Sequence, residues 1–355
     1  MALVTLCAFL YAFQPTQFYY GDACTNLLVL RAITNYHSLD LHPVSQLCSG
    51  SAKRMFSLGA HGEWYSVHEI GWVLLAYPLY ALFGDKGALL LNIAAIGLAL
   101  GCMFLISKRA AKYDSSLLSV LVVAVTPPVL HAPASMGNDW PGAAILSVVM
   151  YLLWIGRCRA AGFLFGALSL VRIQSILAFP ALLALIWLRK SDTPKPGENP
   201  SKLRSTTRFF ACACISCATF FAQNYFLYGN ATTFSYQRSL DDLTNPNTLV
   251  RHTDLFSWPT RGKASQLLLG PEGGVLFSQR YFAAVWLLAL PLLWRRLRAV
   301  AGFFVIGLFT YIAVYSSWYE LHQPVRYFAI FYLLTVIPLS LLFDWLSQKI
   351  GIKSV

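Results

Sequence analysis

Charge is scarce in this chain. Of its 355 residues 12% are charged and 57% are hydrophobic, and the mean hydropathy is +0.56. Soluble domains carry about 25% charged residues, so a soluble globular protein is excluded. No polar block is long enough to fold separately, which leaves one membrane domain over 1–355. The first hydrophobic segment, Ala2 to Phe13, has neither a basic leader nor a small-residue cleavage site, and is expected to be a retained span rather than a signal peptide. No Cys/His spacing resembles a zinc site, and no Asp-x-Asp metal pair is present. An internal sequence repeat is also missing, which argues against transporters built from inverted repeats.

What the chain has is apolar runs. The candidate spans are 2–14, 88–107, 115–132, 141–156, 160–172, 174–188, 208–227, 279–294, 300–316 and 327–345. The expected fold is therefore all-α, a polytopic transmembrane bundle of about 10 helices. Several runs fall short of the ~20 residues that a perpendicular helix needs. Short or broken helices are tolerated where they border protein or a watery cavity rather than lipid. The run 68–84 is ambiguous, because counting it as a span reverses the sidedness of everything after it.

The positive-inside rule decides between the two topologies. With 68–84 re-entrant or interfacial, Lys108/Arg109/Lys112, Arg157/Arg159, the Arg189–Arg208 stretch, Arg295/Arg296/Arg298 and Lys349/Lys353 share the cytoplasmic side. That side then holds 16 of the 27 basic residues and 4 of the 15 acidic ones, leaving 11 of each opposite. The whole net charge of +12 lies inside, and so do both termini. Outside lie two long loops, 15–87 and 228–278, two short ones, 131–140 and 317–326, and a tight bend at Arg172. Residues 191–207, rich in Pro, Lys and Glu, read as a flexible cytoplasmic connection. Basic residues explained by topology leave no case for nucleic-acid binding.

Eight cysteines are scattered along the chain. Cys212, Cys214 and Cys217 sit in an apolar run, where small residues suit helix packing. Cys24 and Cys48 share the first outer loop and can pair if that loop is extracytoplasmic; two unpaired cysteines are the alternative.

Unusual polar residues gather at the outer ends of the spans: Asp22 just after the first one, His68 and Glu69 where the 68–84 run begins, Asp139 in Gly137-Asn138-Asp139-Trp140-Pro141, and Arg172 within the apolar stretch Gly166–Gln174. Further along come Glu272 in Gly270-Pro271-Glu272-Gly273-Gly274, and Tyr319 and Arg326 in the last short loop. A charge at membrane depth is costly unless paired or solvated, which makes each a functional candidate. Each also has a plain alternative. Asp22 as a solvated loop carboxylate, His68 as a cap, and Arg326 as an interfacial anchor would need no chemistry. Arg172, amid apolar residues, is the hardest to explain that way.

Taken in order, these pieces resemble the GT-C class of polytopic glycosyltransferases, in the branch that includes protein O-mannosyltransferases and aminoarabinose transferases. The matching segments are Tyr20-Gly21-Asp22, His68 to Gly84, Gly137 to Pro141, Gly166 to Arg172, Leu269 to Phe277 and Trp318 to Tyr327. Two departures stand out: Ala23 follows Asp22 where the class usually has Asp-Glu, and His68 stands near the place of a frequent Lys. The resemblance implies a polyprenyl-phosphate-sugar donor and a glycan, lipid or protein acceptor, met at the outer membrane surface. It implies Asp22 as general base for one-step inversion, and Arg172 and Arg326, helped by His68, as holders of the phosphate. Asp139 would orient one of these cations or bind sugar or acceptor. The turn around Glu272 and the loop carrying Tyr319 would close on the substrates. No cofactor and no metal are expected, since arginine alone can neutralise a monophosphate leaving group.

The competing readings are a transporter or flippase for a lipid-linked sugar, a non-catalytic subunit, and a relative using a pyrophosphate donor with metal. The first needs no base at Asp22; the second needs no inward cluster of Arg and Asp; the third wants a tight acidic pair. Asn230-Ala231-Thr232 is a glycosylation sequon that matters only in a eukaryote. The compact length and lack of a retention signal point instead to a bacterial inner membrane.

Overall fold

The computed structural model describes residues 21–47, 55–130, 137–189, 202–233, 235–238, 265, 280–315 and 329–350. The candidate span 2–14 lies outside them. Almost everything described is helical. The helices are α1 (Gly21–Tyr36), α2 (Gly71–Phe83), α3 (Asp85–Ser107), α4 (Tyr113–Ala124), the single turn α5 (Pro127–Leu130) and α6 (Asp139–Trp154). They are followed by α7 (Cys158–Ala167), α8 (Phe179–Leu188), α9 (Lys202–Tyr228), α10 (Arg280–Arg296), α11 (Arg298–Tyr315), α12 (Ala329–Leu334) and α13 (Val336–Ile350).

The expected spans among the described residues correspond to helices, with informative differences at their ends. Asp85–Ser107, Lys202–Tyr228 and Ala329–Ile350 are long and apolar enough to cross a membrane; the others are shorter. The run 115–132 breaks where Val125 and Thr126 precede two prolines, which cannot donate the amide hydrogen bonds that would continue the helix. Residues 160–188 form α7, a 3-10 turn at Leu168–Leu170, an extended Arg172, a second 3-10 segment at Ile173–Ala178, and α8.

The ambiguous run 68–84 is α2, a 13-residue helix of about 20 Å, short of the ~30 Å hydrocarbon core. It folds back on α3 through Gly84, whose φ of 62° is open to glycine at little cost. The indole N–H of Trp72, at the start of α2, donates to Asn92 Oδ1 of α3 at 3.0 Å and closes the antiparallel pair. The start of α2 also contacts the start of α6, through Glu69 and Asn138. The C-termini of α3 and α6 share the far end of the bundle: Arg296, at the end of α10, reaches Ala110 just past α3, Gly302 at the start of α11 lies against Leu188 at the end of α8, and the next residue, Arg189, reaches the end of α6.

At that far end the basic residues cap helix carbonyls. Arg189 donates to the carbonyls of Leu153 and Trp154 at the C-terminus of α6, and Lys202 to that of Trp187. Arg296 donates to the carbonyl of Ala110, just past α3, and forms an ion pair with Asp344 at 2.8 Å. Cations complement the negative end of a helix, so these positions do more than record membrane sidedness.

Between the ends the helices pack through small residues and stacked rings. Gly162 and Gly166 of α7 lie against the backbone of α9 at Phe209 and Ala213, so closely that a Cβ at either glycine would overlap a carbonyl oxygen. Ser216 and the backbone of Cys217 complete this seam; of the three cysteines expected to pack here, Cys214 is exposed. Trp286 stacks on Phe304 with centroids 3.4 Å apart, and its indole N–H donates to Thr335 between α12 and α13.

The first outer segment is not a plain loop. The backbone of Asp22 lies in the first turn of α1. Phe56–Leu58 and Trp64–Ser66 form an antiparallel hairpin, pairing Phe56 with Ser66 and Leu58 with Trp64. Alternation over three residues is too brief to see in sequence. Asp40 ties this hairpin to the 3-10 segment His42–Leu47, accepting from the amides of Trp64 and His42 and from His42 Nδ1. The hairpin docks on the end of α9 through Ser57 and Tyr228, whose hydroxyls are 2.9 Å apart, and through the amide of Ala60 on Leu227. Cys24 is disulfide-bonded, whereas Cys102, Cys158, Cys212, Cys214 and Cys217 are free. The Cys24–Cys48 pairing as such lies outside the described residues.

Candidate functional site

Three chain segments far apart in sequence converge where α6 begins. Asp139 occupies the first turn of α6, where the helix dipole favours an anion. The bend between α7 and α8 brings Arg172 onto it, and the two form an ion pair with both side chains some 8% exposed. Arg172 is extended, with φ −159° and ψ 101°, so its side chain leaves the apolar hairpin and reaches across to α6. Gly142 makes room for it: a Cβ there would stand 3.2 Å from Arg172 Cδ and 3.3 Å from Arg172 Cβ. Tyr311 of α11 is buried within electrostatic reach of the same guanidinium.

The third segment is the turn before α2. Glu69 is buried, and its two carboxylate oxygens hold the other two segments. Oε1 accepts from the amide of Ile173 at 3.2 Å, next to Arg172, and Oε2 accepts from Asn138 Nδ2 at 3.3 Å, next to Asp139. Burial pushes its carboxyl above the ordinary range, although the neighbouring His68 and Arg172 and the Ile173 amide oppose this. The turn sits close to the α7–α8 bend because Gly71 lacks a side chain; a Cβ there would come within 2.5 Å of the Leu170 carbonyl oxygen. His68 is half-buried beside Glu69, and its amide donates to Ser66 Oγ.

Asn138 extends the network to α1. Its Oδ1 accepts from Asn26 Nδ2 at 3.4 Å, and both asparagines are buried. Asn26 stands one helical turn after Asp22, so the helix carrying Asp22 is tied to the segments carrying Asp139, Arg172 and Glu69. Ser235 donates to the carbonyl of Val67, which joins the start of the second outer segment to the same turn.

The structure therefore brings Asp139, Arg172 and His68 into one region, with the backbone of Asp22 nearby. Glu272, Tyr319 and Arg326 lie outside the described residues, as does the side chain of Asp22. Sequence reasoning named Glu69 among the outer polar residues without assigning it a role, and it passed over Asn26 and Asn138. A buried asparagine must satisfy its amide, but it carries no charge to attract notice in a sequence. Among the described residues, no group of three or more His, Cys, Asp and Glu is placed to hold a metal ion.

No protein-family model and no curated protein matches the chain. A solved structure does: ArnT from Cupriavidus metallidurans, crystallised with undecaprenyl phosphate bound. The similarity has a TM-score of 0.58 at 12% sequence identity, and covers 99% of this chain. The fold is GT-C-like. This chain spans 62% of the length of the ArnT chain. At such low identity the backbone arrangement is what the two share, and the side-chain network above belongs to this chain.

Proposed function

We propose that this protein is a membrane glycosyltransferase that moves a sugar from a polyprenyl-phosphate-sugar to an acceptor hydroxyl at the extracytoplasmic face. The observation that carries the reading is the convergence of Asp139, Arg172, Glu69 and the Asp22-bearing helix at one end of a GT-C-like bundle. That ArnT was crystallised with undecaprenyl phosphate supports a polyprenyl phosphate as the carrier. The disulfide at Cys24 supports an oxidising, extracytoplasmic setting for this end, and the basic residues capping helices at the far end support a cytoplasmic one there. A bacterial inner membrane remains our reading of the location.

In the proposed reaction the Asp22 carboxylate takes the proton of the acceptor hydroxyl as its oxygen attacks the anomeric carbon. The bond from that carbon to the phosphate oxygen breaks on the opposite face, giving the inverted glycoside and the polyprenyl phosphate. A single carboxylate with no second nucleophile suits one displacement. Arg172 receives the developing phosphate charge through its guanidinium, with Arg326 and His68 assisting. Asp139 takes the first of its two expected roles and orients Arg172. Glu69 keeps the α6 start and the α7–α8 bend in register. Glu272 and Tyr319 contact the sugar or acceptor.

The test is transfer of radiolabelled sugar in membranes from a panel of polyprenyl-phosphate sugars, comparing wild type with Asp22→Asn. Transfer by wild type and its loss in an equally abundant mutant is the expected result, and the active donor names the sugar. Full activity in the mutant removes Asp22 as the base. Labelled lipid that crosses the bilayer without any transfer would make the protein a flippase. Activity should persist after chelation with EDTA, because the leaving phosphate is neutralised by arginine; loss on chelation with recovery on adding a divalent cation would refute the metal-free mechanism.

A further inference from the structure

A second charged site lies at the far end of the bundle, where α7 begins. A cavity of about 370 Å³ is lined by Arg157, Arg159, Ser205 and Arg208, together with Cys158 and Ala160. Among the described residues no Asp or Glu lines it, and none of the three arginines forms an ion pair with a described residue. Three like charges around one hollow repel one another, an arrangement that an anion would relieve. Cys158, Arg159 and Ala160 are the first three residues of α7, and Arg157 before them gives no side-chain cap, so the amides of this lining turn have no intrahelical acceptor. Ser205 adds a hydroxyl donor from α9.

The surroundings say which anion. Phe163, one turn after Arg159 on the same face of α7, is exposed. Phe210 and Leu203 of α9 are exposed as well, and so is Trp187 at the end of α8. Phe163 and Phe210 follow the arginines along α7 and α9, and Trp187 and Leu203 stand at the helix ends beside them, the tryptophan being of the sort found at membrane interfaces. A soluble phosphate would have no use for them. The geometry points to a binding site for an anionic phospholipid, its phosphodiester held by Arg157, Arg159, Arg208 and Ser205 and its acyl chains lying over Phe163 and Phe210. Basic pockets between helices near the cytoplasmic surface are suited to such headgroups. This site is separate from the chemistry at the other end and does not depend on it.

The full chain in dodecyl maltoside micelles doped with phosphatidylglycerol or phosphatidylcholine provides the test. Lipid retained per protein is read by native mass spectrometry, and the thermal midpoint is followed in parallel. Wild type should retain phosphatidylglycerol over phosphatidylcholine and gain thermal stability from it. With each surface cation contributing about five-fold, Arg157→Gln/Arg159→Gln/Arg208→Gln should weaken retention by about 100-fold. The control Lys108→Gln/Arg109→Gln/Lys112→Gln should keep it. If the first triple variant does not fold, a photo-cross-linkable phosphatidylglycerol on wild type should label the peptide spanning 157–160. Equal retention of both lipids, an unchanged triple variant, or labelling confined to helices other than α7 and α9 overturns the site. Inorganic phosphate that alone reproduces the thermal shift overturns the lipid and makes the ligand a soluble anion.

Discussion

Two buried aspartates, each paired with an arginine, stand at opposite ends of this bundle. Asp139 meets Arg172 with both partners buried; Asp344 is just as buried, but its Arg296 is 38% exposed. The far-end pair is also shared out, since Arg296 donates to the Ala110 carbonyl and Gln348 donates to Asp344. It ties the ends of α10 and α3 to the body of α13 and leaves its cation at the surface. The near-end pair withdraws a cation from water on a bend that forms no regular helix, beside a buried glutamate. Desolvating a charge pair this way is a poor route to stability, because the cost of burial offsets most of the attraction. The same two residue types thus serve anchoring at one end and, in our reading, phosphate recognition at the other.

The sharpest way to break that contrast is to remove each arginine. Arg172→Met strands Asp139 in a buried site, so it should cost about 3–5 kcal/mol and lower transfer by about 100-fold or more. The double variant Arg172→Met/Asp139→Leu should recover most of the stability and none of the activity. Normal transfer by the double variant would make the pair a structural device. Arg296→Met should cost less, about 1–3 kcal/mol, because Gln348 still donates to Asp344 after the cation is gone, with transfer rates unchanged in the same membranes.

A finer probe leaves both charges in place. Gly142→Ala puts a methyl against the Arg172 stem, while Gly101→Ala meets nothing within 4 Å. Displacing a binding group by a fraction of an ångström should slow transfer by about ten-fold, with kcat falling in the first variant and not in the second. The smallest effect concerns the outer hairpin. Burial raises the Asp40 carboxyl, but the amides of Trp64 and His42 and the His42 ring outweigh this and hold it below its usual 3.8. Its contribution to stability is therefore present above pH 3.8 and lost as pH falls through the lower folded value. The protection factor of the Trp64 amide, its exchange rate relative to an unstructured peptide at the same pH, should fall on acidification in wild type and be low at every pH in Asp40→Ala.

The helices were readable because hydropathy records burial in lipid. The run 174–188 appears as Ile173–Leu188 and 141–156 as Asp139–Trp154, each within two residues. Arg172 and Asp139 were conspicuous for the same reason, as charges where the pattern demands none. The pairing of Arg172 with Asp139 was open, since 33 residues separate them and only the fold brings α6 to the α7–α8 bend. Glu69 was visible as a carboxylate, but its task is to bridge an amide at Ile173 and a side chain at Asn138, and hydropathy cannot see bridges. Asn26 and Asn138 are polar without being charged, and blended into ordinary helix starts. The hairpin at Phe56–Ser66 was missed because its strands are three residues long.

The shortness of α6 and α7 has a mechanical consequence. At 1.5 Å per residue the 16 residues of α6 cover about 24 Å, and α7 with its 3-10 extension a little less, against a hydrocarbon slab of ~30 Å. Where these helices face lipid, the surrounding leaflets must dip to meet them or leave a hollow. A phosphate seated on Arg172 would then rest several ångströms beneath the headgroups of neighbouring lipids. Its long prenyl tail would slide in sideways from the bilayer, and the carrier would not have to be lifted out of the membrane to react.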